Sequence, residues 1–90
     1  MPLVASSDVV LPARHAGRGV GAFNVIQLEH AEALAAGAER AGSPVILQVS
    51  QNAARYHGAL GPIGLATLAV ARASSAPVVV HLDHATDEAL

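Results

Sequence analysis

Cysteine and tryptophan are absent from the 90 residues, and one tyrosine and one phenylalanine supply the whole aromatic content of 2%. Without cysteine there is no disulfide framework and no thiol chemistry, which suits a reducing cytosol. Charge is scarce as well: Asp, Glu, Lys and Arg make up 13% of the chain, about half the usual share. So few charges cannot cover the surface of a 90-residue domain, so much of the apolar surface is expected to meet the rest of a larger domain or another subunit. The net charge is −2 with five histidines counted neutral. No basic stripe is present, which argues against nucleic acid as a partner. The first residues, Met1 to Asp8, have neither a basic segment nor a long apolar core, so they do not read as a signal peptide. The longest apolar stretch, near Ile63 to Ala71, is far too short for a membrane span. These absences point to a cytoplasmic protein without membrane or nucleic-acid partners. No repeat, linker or low-complexity tract is visible.

What remains is 52% hydrophobic, mostly Ala, Val and Leu, arranged in short runs. Ser7-Asp8 can cap a short helix over residues 8–16, which Gly17-Arg18-Gly19 ends. Residues 20–25 read as a strand, weakened by Gly21. Over residues 27–41, Leu28, Ala31, Leu34, Ala35, Ala38 and Ala41 recur at spacings of three and four, the mark of a helix, which Gly42 and Ser43-Pro44 stop. Val45-Ile46-Leu47-Gln48-Val49-Ser50 is a second strand, over 45–50. Gln51 to Gly61 reads as a loop with room for one helical turn at 53–56. Residues 62–74 form a helix apolar nearly all round, which predicts burial on several sides. Val78-Val79-Val80-His81-Leu82-Asp83 is a third strand, over 78–83.

A β-α-β-α-β order with continuous apolar strands predicts a parallel sheet covered by right-handed crossover helices. Either an open doubly wound sheet or a (β/α)8 barrel would follow from it. The barrel takes about 250 residues, so residues 1–90 would form one part of it, preceded by the short N-terminal helix.

Each predicted strand ends in side chains of a chemical kind: Asn24 in the first, Gln48 and Ser50 in the second, His81, Asp83 and His84 in the third. In parallel α/β proteins the carboxyl ends of the strands are where ligands bind. Asn24 and Ser50 could equally cap the helices that follow, and Gln48 could satisfy backbone in a buried strand. His81 and Asp83, two apart, face the same side of the pleat, and an ordinary core histidine is an alternative for His81. Asp83-His84 is harder to explain structurally, because one of two adjacent strand residues would meet the packed helices unless the chain is already turning. A carboxylate and an imidazole there can bind a metal, move a proton, or do one each. His15, His30 and His57 have no sequence partner and read as surface residues. Gly17, Gly19 and Gly21 resemble a dinucleotide fingerprint but precede a strand instead of following one, so that motif fails.

Gly21-Ala22-Phe23-Asn24-Val25, Ser43-Pro44-Val45-Ile46-Leu47-Gln48-Val49-Ser50 and Val80-His81-Leu82-Asp83-His84 together resemble the N-terminal third of class II, zinc-dependent fructose-bisphosphate aldolases. The wider group includes tagatose-bisphosphate aldolases. The resemblance implies a (β/α)8 barrel in a homodimer or homotetramer that cleaves a ketose bisphosphate, fructose 1,6-bisphosphate first, to dihydroxyacetone phosphate and glyceraldehyde 3-phosphate. It implies that Asp83 is the catalytic acid/base at the C4 hydroxyl and that His84 is one zinc ligand. It assigns Ser50 to the glyceraldehyde-3-phosphate half, Asn24 to the substrate, and Gln48 and His81 to supporting positions. The other zinc ligands and the loop for the second phosphate are expected beyond Leu90, and this chain alone is expected to be inactive. The competing expectation is a non-catalytic fragment that associates with itself or with a complementary chain.

Overall fold

The structure is a computed structural model and describes residues 3–90. Helix α1 (Ser6–His15) leads to strand β1 (Ala22–Asn24), helix α2 (Leu28–Ala41), strand β2 (Val45–Ser50), helices α3 (Gln51–Tyr56) and α4 (Leu60–Ala73), and strand β3 (Val78–Asp83). The three strands form one parallel sheet in the order β1-β2-β3. Ladder bonding outlasts the short β1 at both ends: Ile46 donates to the Gly21 carbonyl at 3.0 Å, and Val25 donates to the Gln48 carbonyl at 2.8 Å. Among the described residues no helix is long and apolar enough to cross a membrane.

Register decides which residues share a face. Ala22 pairs with Ile46, Asn24 with Gln48, Gln48 with His81, and Ser50 with Asp83. Side chains alternate along a strand, so Val45, Leu47, Val49 and Val78 lie on one face, and they belong to the hydrophobic core. Helices α2 and α4 pack on one another and on the sheet, bringing Ala31, Ala38, Ile63 and Ala71 into that core. Small residues along α2 let the helix approach closely. The one hydroxyl inside α4, on the fully buried Thr67, donates to the Ile63 carbonyl at 2.7 Å, so no polar atom is stranded. The opposite face carries Asn24, Gln48, Ser50, His81 and Asp83.

The segment expected as a loop with one helical turn at 53–56 is helical already from Gln51, as α3. The Ser50 hydroxyl caps it, accepting from the Ala53 amide at 3.0 Å, and places Gln51 at the first helical position. Helix α2 is capped less conventionally. His30 Nδ1 accepts from the Ile26 and Gln27 amides, each at 3.2 Å, and His57 Nε2 bonds to the Ile26 carbonyl. The exposed His30 and the half-buried His57, which the sequence suggested would lie on the surface, thus brace the β1–α2 loop.

Glu39 does the same for the turn into β3. Its Oε2 accepts from the Ser75 amide at 2.7 Å, from the Ser75 hydroxyl at 3.0 Å and from the Ser74 hydroxyl at 3.4 Å. The Ser75 amide first, then the Ser75 hydroxyl, hold this carboxyl below its ordinary value of 4.5 against the opposing effect of desolvation, with the Ser74 hydroxyl adding least. A depressed folded pKa stabilises the native state fully above the unfolded value, and that contribution disappears as pH falls below 4.5 through the folded value. Urea unfolding midpoints measured down to about pH 3 are therefore expected to fall less steeply for Glu39→Gln than for the parent. Equal acid slopes would contradict this role for Glu39.

Candidate active site

The mouth of the sheet is built by three strand ends and the turns that leave them. Asn24, Gln48 and His81 form one cross-strand row, and Ser50 and Asp83 form the next row, towards the carboxyl ends. With neighbouring strands about 4.8 Å apart, Asn24 stands two strands away from His81. The rows place all five side chains on one face, while contact is confined to β3 and the residue after it.

There the Asp83 carboxylate lies between two imidazoles: His81 Nε2 is 3.6 Å from Oδ1, and His84 Nε2 is 3.5 Å from Oδ2. The side chains of Asp83, His81 and His84 are 23%, 48% and 87% exposed, so the group opens outward. Both separations exceed hydrogen-bond length. The carboxylate therefore keeps its lone pairs for a ligand proton. His81 shares the Asp83 face by strand alternation. His84 joins it for a different reason: the strand stops at Asp83, and His84 takes a positive φ of 50°. Such a conformation costs a residue with a Cβ about 1–3 kcal/mol and concentrates at functional turns. It swings the imidazole to the mouth instead of into the helix layer.

Of the two roles that its sequence context left open, Ser50 takes the capping one. Its oxygen accepts the Ala53 amide, which leaves the hydroxyl hydrogen free to donate to an anionic oxygen at the mouth.

One residue escaped the sequence reading. Gln51 is only 6% exposed. Its Oε1 accepts from the Thr86 amide at 2.8 Å and the Asp87 amide at 2.9 Å, and its Nε2 lies 3.4 Å from the Thr86 hydroxyl. The turn that carries His84 is thereby fastened to the start of α3. The available signal was a polar residue directly after a strand-ending serine, at the point where β2 hands over to a helix.

Among the described residues no three His, Cys, Asp or Glu side chains converge well enough to hold a metal ion. The chain offers His84 as one imidazole donor with Asp83 beside it.

A parallel sheet with helices on one face, and ionisable groups at the carboxyl ends of its strands on the other, is the construction of an α/β-barrel enzyme segment. The profile of the class-II fructose-bisphosphate aldolases matches residues 4–90. A fructose-bisphosphate aldolase of Thermus caldophilus is 40% identical over 82 residues, covering 91% of this chain and 26% of its own. One from Pseudomonas aeruginosa is 38% identical over 86 residues, covering 96% of this chain and 24% of its own. The crystal structure of a protein assigned as a fructose-1,6-biphosphate aldolase from Coccidioides immitis superposes with a TM-score of 0.78 at 28% identity, over 91% of this chain and 30% of that one. The chain belongs to the class II fructose-bisphosphate aldolase family, and it spans about a quarter of the length of the relatives it matches.

Proposed function

We propose that the full-length protein carrying these residues is a metal-dependent lyase that reversibly cleaves a ketose bisphosphate. Fructose 1,6-bisphosphate is the preferred substrate, with dihydroxyacetone phosphate and glyceraldehyde 3-phosphate as products. The observation that carries this reading is the turn at the end of β3, which sets an outward-facing Asp83 carboxylate beside an exposed His84 imidazole. Asp83 has the chemistry and the access to take the proton from the substrate C4 hydroxyl in cleavage and return it in condensation. The Ser50 hydroxyl hydrogen serves a phosphate oxygen of the aldehyde half. Asn24 binds substrate hydroxyls from the row beneath. Gln48 and His81 support them, His81 from the far side of the Asp83 carboxylate at 3.6 Å.

The donor chemistry suits zinc, with neutral imidazole a common ligand. His84 is the ligand this chain would contribute. When bound, the ion supplies Lewis-acid polarisation of the substrate carbonyl. Its remaining ligands come from outside the residues described. The working protein is a cytoplasmic homo-oligomer, a dimer or tetramer; Leu65 on α4, 67% exposed, and Tyr56, 70% exposed, supply apolar surface for such association.

The test is aldol cleavage by the purified full-length protein, coupled to triose-phosphate detection, on fructose and tagatose 1,6-bisphosphates in parallel. Turnover of the fructose epimer that a chelator abolishes and zinc restores is expected. Turnover of neither epimer would refute the proposal, and preference for the tagatose epimer would correct the substrate. The 90-residue chain alone is expected to show no turnover, because its donors are too few to hold the ion.

A further inference from the structure

The mouth holds a strained turn and a buried amide that the proposed reaction does not use, and the two are joined. His84 is the only non-glycine residue with positive φ among the described residues. Histidine enters the left-handed region more readily than most residues with a Cβ, but its neighbours in sequence do not select it over an extended conformation: Ala85 follows it, and no proline or glycine constrains it. The restraint on the residues that follow it comes from the start of α3. Gln51 Oε1 receives two successive backbone donors, the Thr86 and Asp87 amides, at 2.8 and 2.9 Å. Two amides converging on one oxygen fix the direction of the chain two residues after His84, and so limit where His84 can turn. Two backbone donors also settle which end of the Gln51 side chain is the oxygen.

The anchor is itself well founded. Gln51 sits at the first position of α3, directly after Ser50, whose capping bond orients that helix start. Its side chain is buried, so its rotamer is restricted by packing and not by solvent. Because Ser50 pairs with Asp83 in register, Gln51 leaves β2 at the level where β3 ends.

We propose that Gln51 is a positioning residue: by clamping the Thr86 and Asp87 amides it holds the left-handed turn at His84, and through that turn the approach of the His84 imidazole to Asp83. The role is defined by an acceptor oxygen at one place, not by an amide as such. Glutamate has the same reach and the same acceptor, and its second oxygen can accept from the Thr86 hydroxyl. Methionine has similar length and no comparable acceptor.

The kinetic part of this proposal rests on the aldolase reading; the structural part does not. In the full-length protein, amide hydrogen exchange is measured at Thr86 and Asp87, with the Leu47 amide at the centre of β2 as internal reference. Gln51→Met is expected to speed exchange at Thr86 and Asp87 about tenfold while Leu47 is unchanged, and Gln51→Glu is expected to leave all three near the parent values. In the cleavage assay, Gln51→Met is expected to lower kcat about 10–100-fold, the range found when partners that orient a ligand residue are removed, with KM little changed. Gln51→Glu is expected to restore most of that loss. Unchanged exchange at Thr86 and Asp87 in Gln51→Met would overturn the clamp. Equal acceleration at Leu47, or equal loss of kcat in both variants, would reduce Gln51 to support of the fold and overturn the positioning role. A parent protein that cleaves no ketose bisphosphate would remove the aldolase reading, and the exchange comparison would then decide the clamp alone.

Discussion

Asp83→Asn in the full-length protein is expected to lower kcat for fructose 1,6-bisphosphate cleavage about 10²–10⁴-fold, the usual contribution of a positioned general base. The substitution keeps the shape of the side chain and its place between His81 and His84, but it removes the lone-pair basicity that accepts a proton. KM should therefore move little, since the loss falls on the transition state and not on ground-state binding. Thermal unfolding should shift only slightly, because Asp83 stands at a strand end with its carboxylate partly open to solvent. A variant that retains kcat within about threefold of the parent would exclude general-base catalysis by Asp83, since that is far outside the expected range. If its melting temperature instead dropped sharply, the contacts with the two imidazoles would be structural.

Leu47→Ala is expected to destabilise the protein by about 2–5 kcal/mol, the range for truncating a fully buried leucine. Leu47 is 0% exposed, lies in the central strand and is flanked in register by Phe23 and Val80. The space it fills lies between the sheet and the α2 and α4 helices, and paired strands on both sides prevent β2 from sliding to close the gap. Leu65→Ala provides the contrast: that side chain is 67% exposed on α4, and its truncation should stay within about 0.5 kcal/mol, as for ordinary surface positions. Urea unfolding of the two variants beside the parent makes the comparison. Similar losses for both would mean that the outer face of α4 is covered in the working protein, as an oligomer interface would cover it.

How far the sequence announced this structure differs from element to element. The parallel α/β class was legible because β2 and β3 are continuous apolar runs and α2 repeats alanine and leucine at helical spacing. Both signals come from burial, which composition records directly. Helix α3 was harder to see. It is a single short helix whose existence depends on the Ser50 cap, and a serine at a strand end reads equally well as a cap or as a ligand contact. The structure makes Ser50 the cap without using up its proton. At the mouth, alternation correctly paired His81 with Asp83 on one side. The position of His84 depends on a positive φ, which histidine adopts more often than most residues but still rarely, so sequence alone does not select it. The interactions that hold the turns were illegible for a common reason. Glu39 with Ser75, and Gln51 with Thr86, join residues 36 and 35 positions apart. Periodicity carries no information about such pairs; only the folded chain brings them together.

The strand order has a consequence for how the molecule is made. Because β1, β2 and β3 lie side by side in the order of the sequence, each new strand can be added to the outer edge of the sheet as the chain emerges from the ribosome. No strand has to be inserted between two already paired. Synthesis runs from the N-terminus, so the β1–β2 pair needs only α2 between its strands, and β3 can dock once α4 is free of the exit tunnel. An exception among the described residues is Leu3, which bridges to Val78 at the base of β3. That contact cannot form before the third strand arrives, so a segment made before β1 is fastened only after β3 has docked.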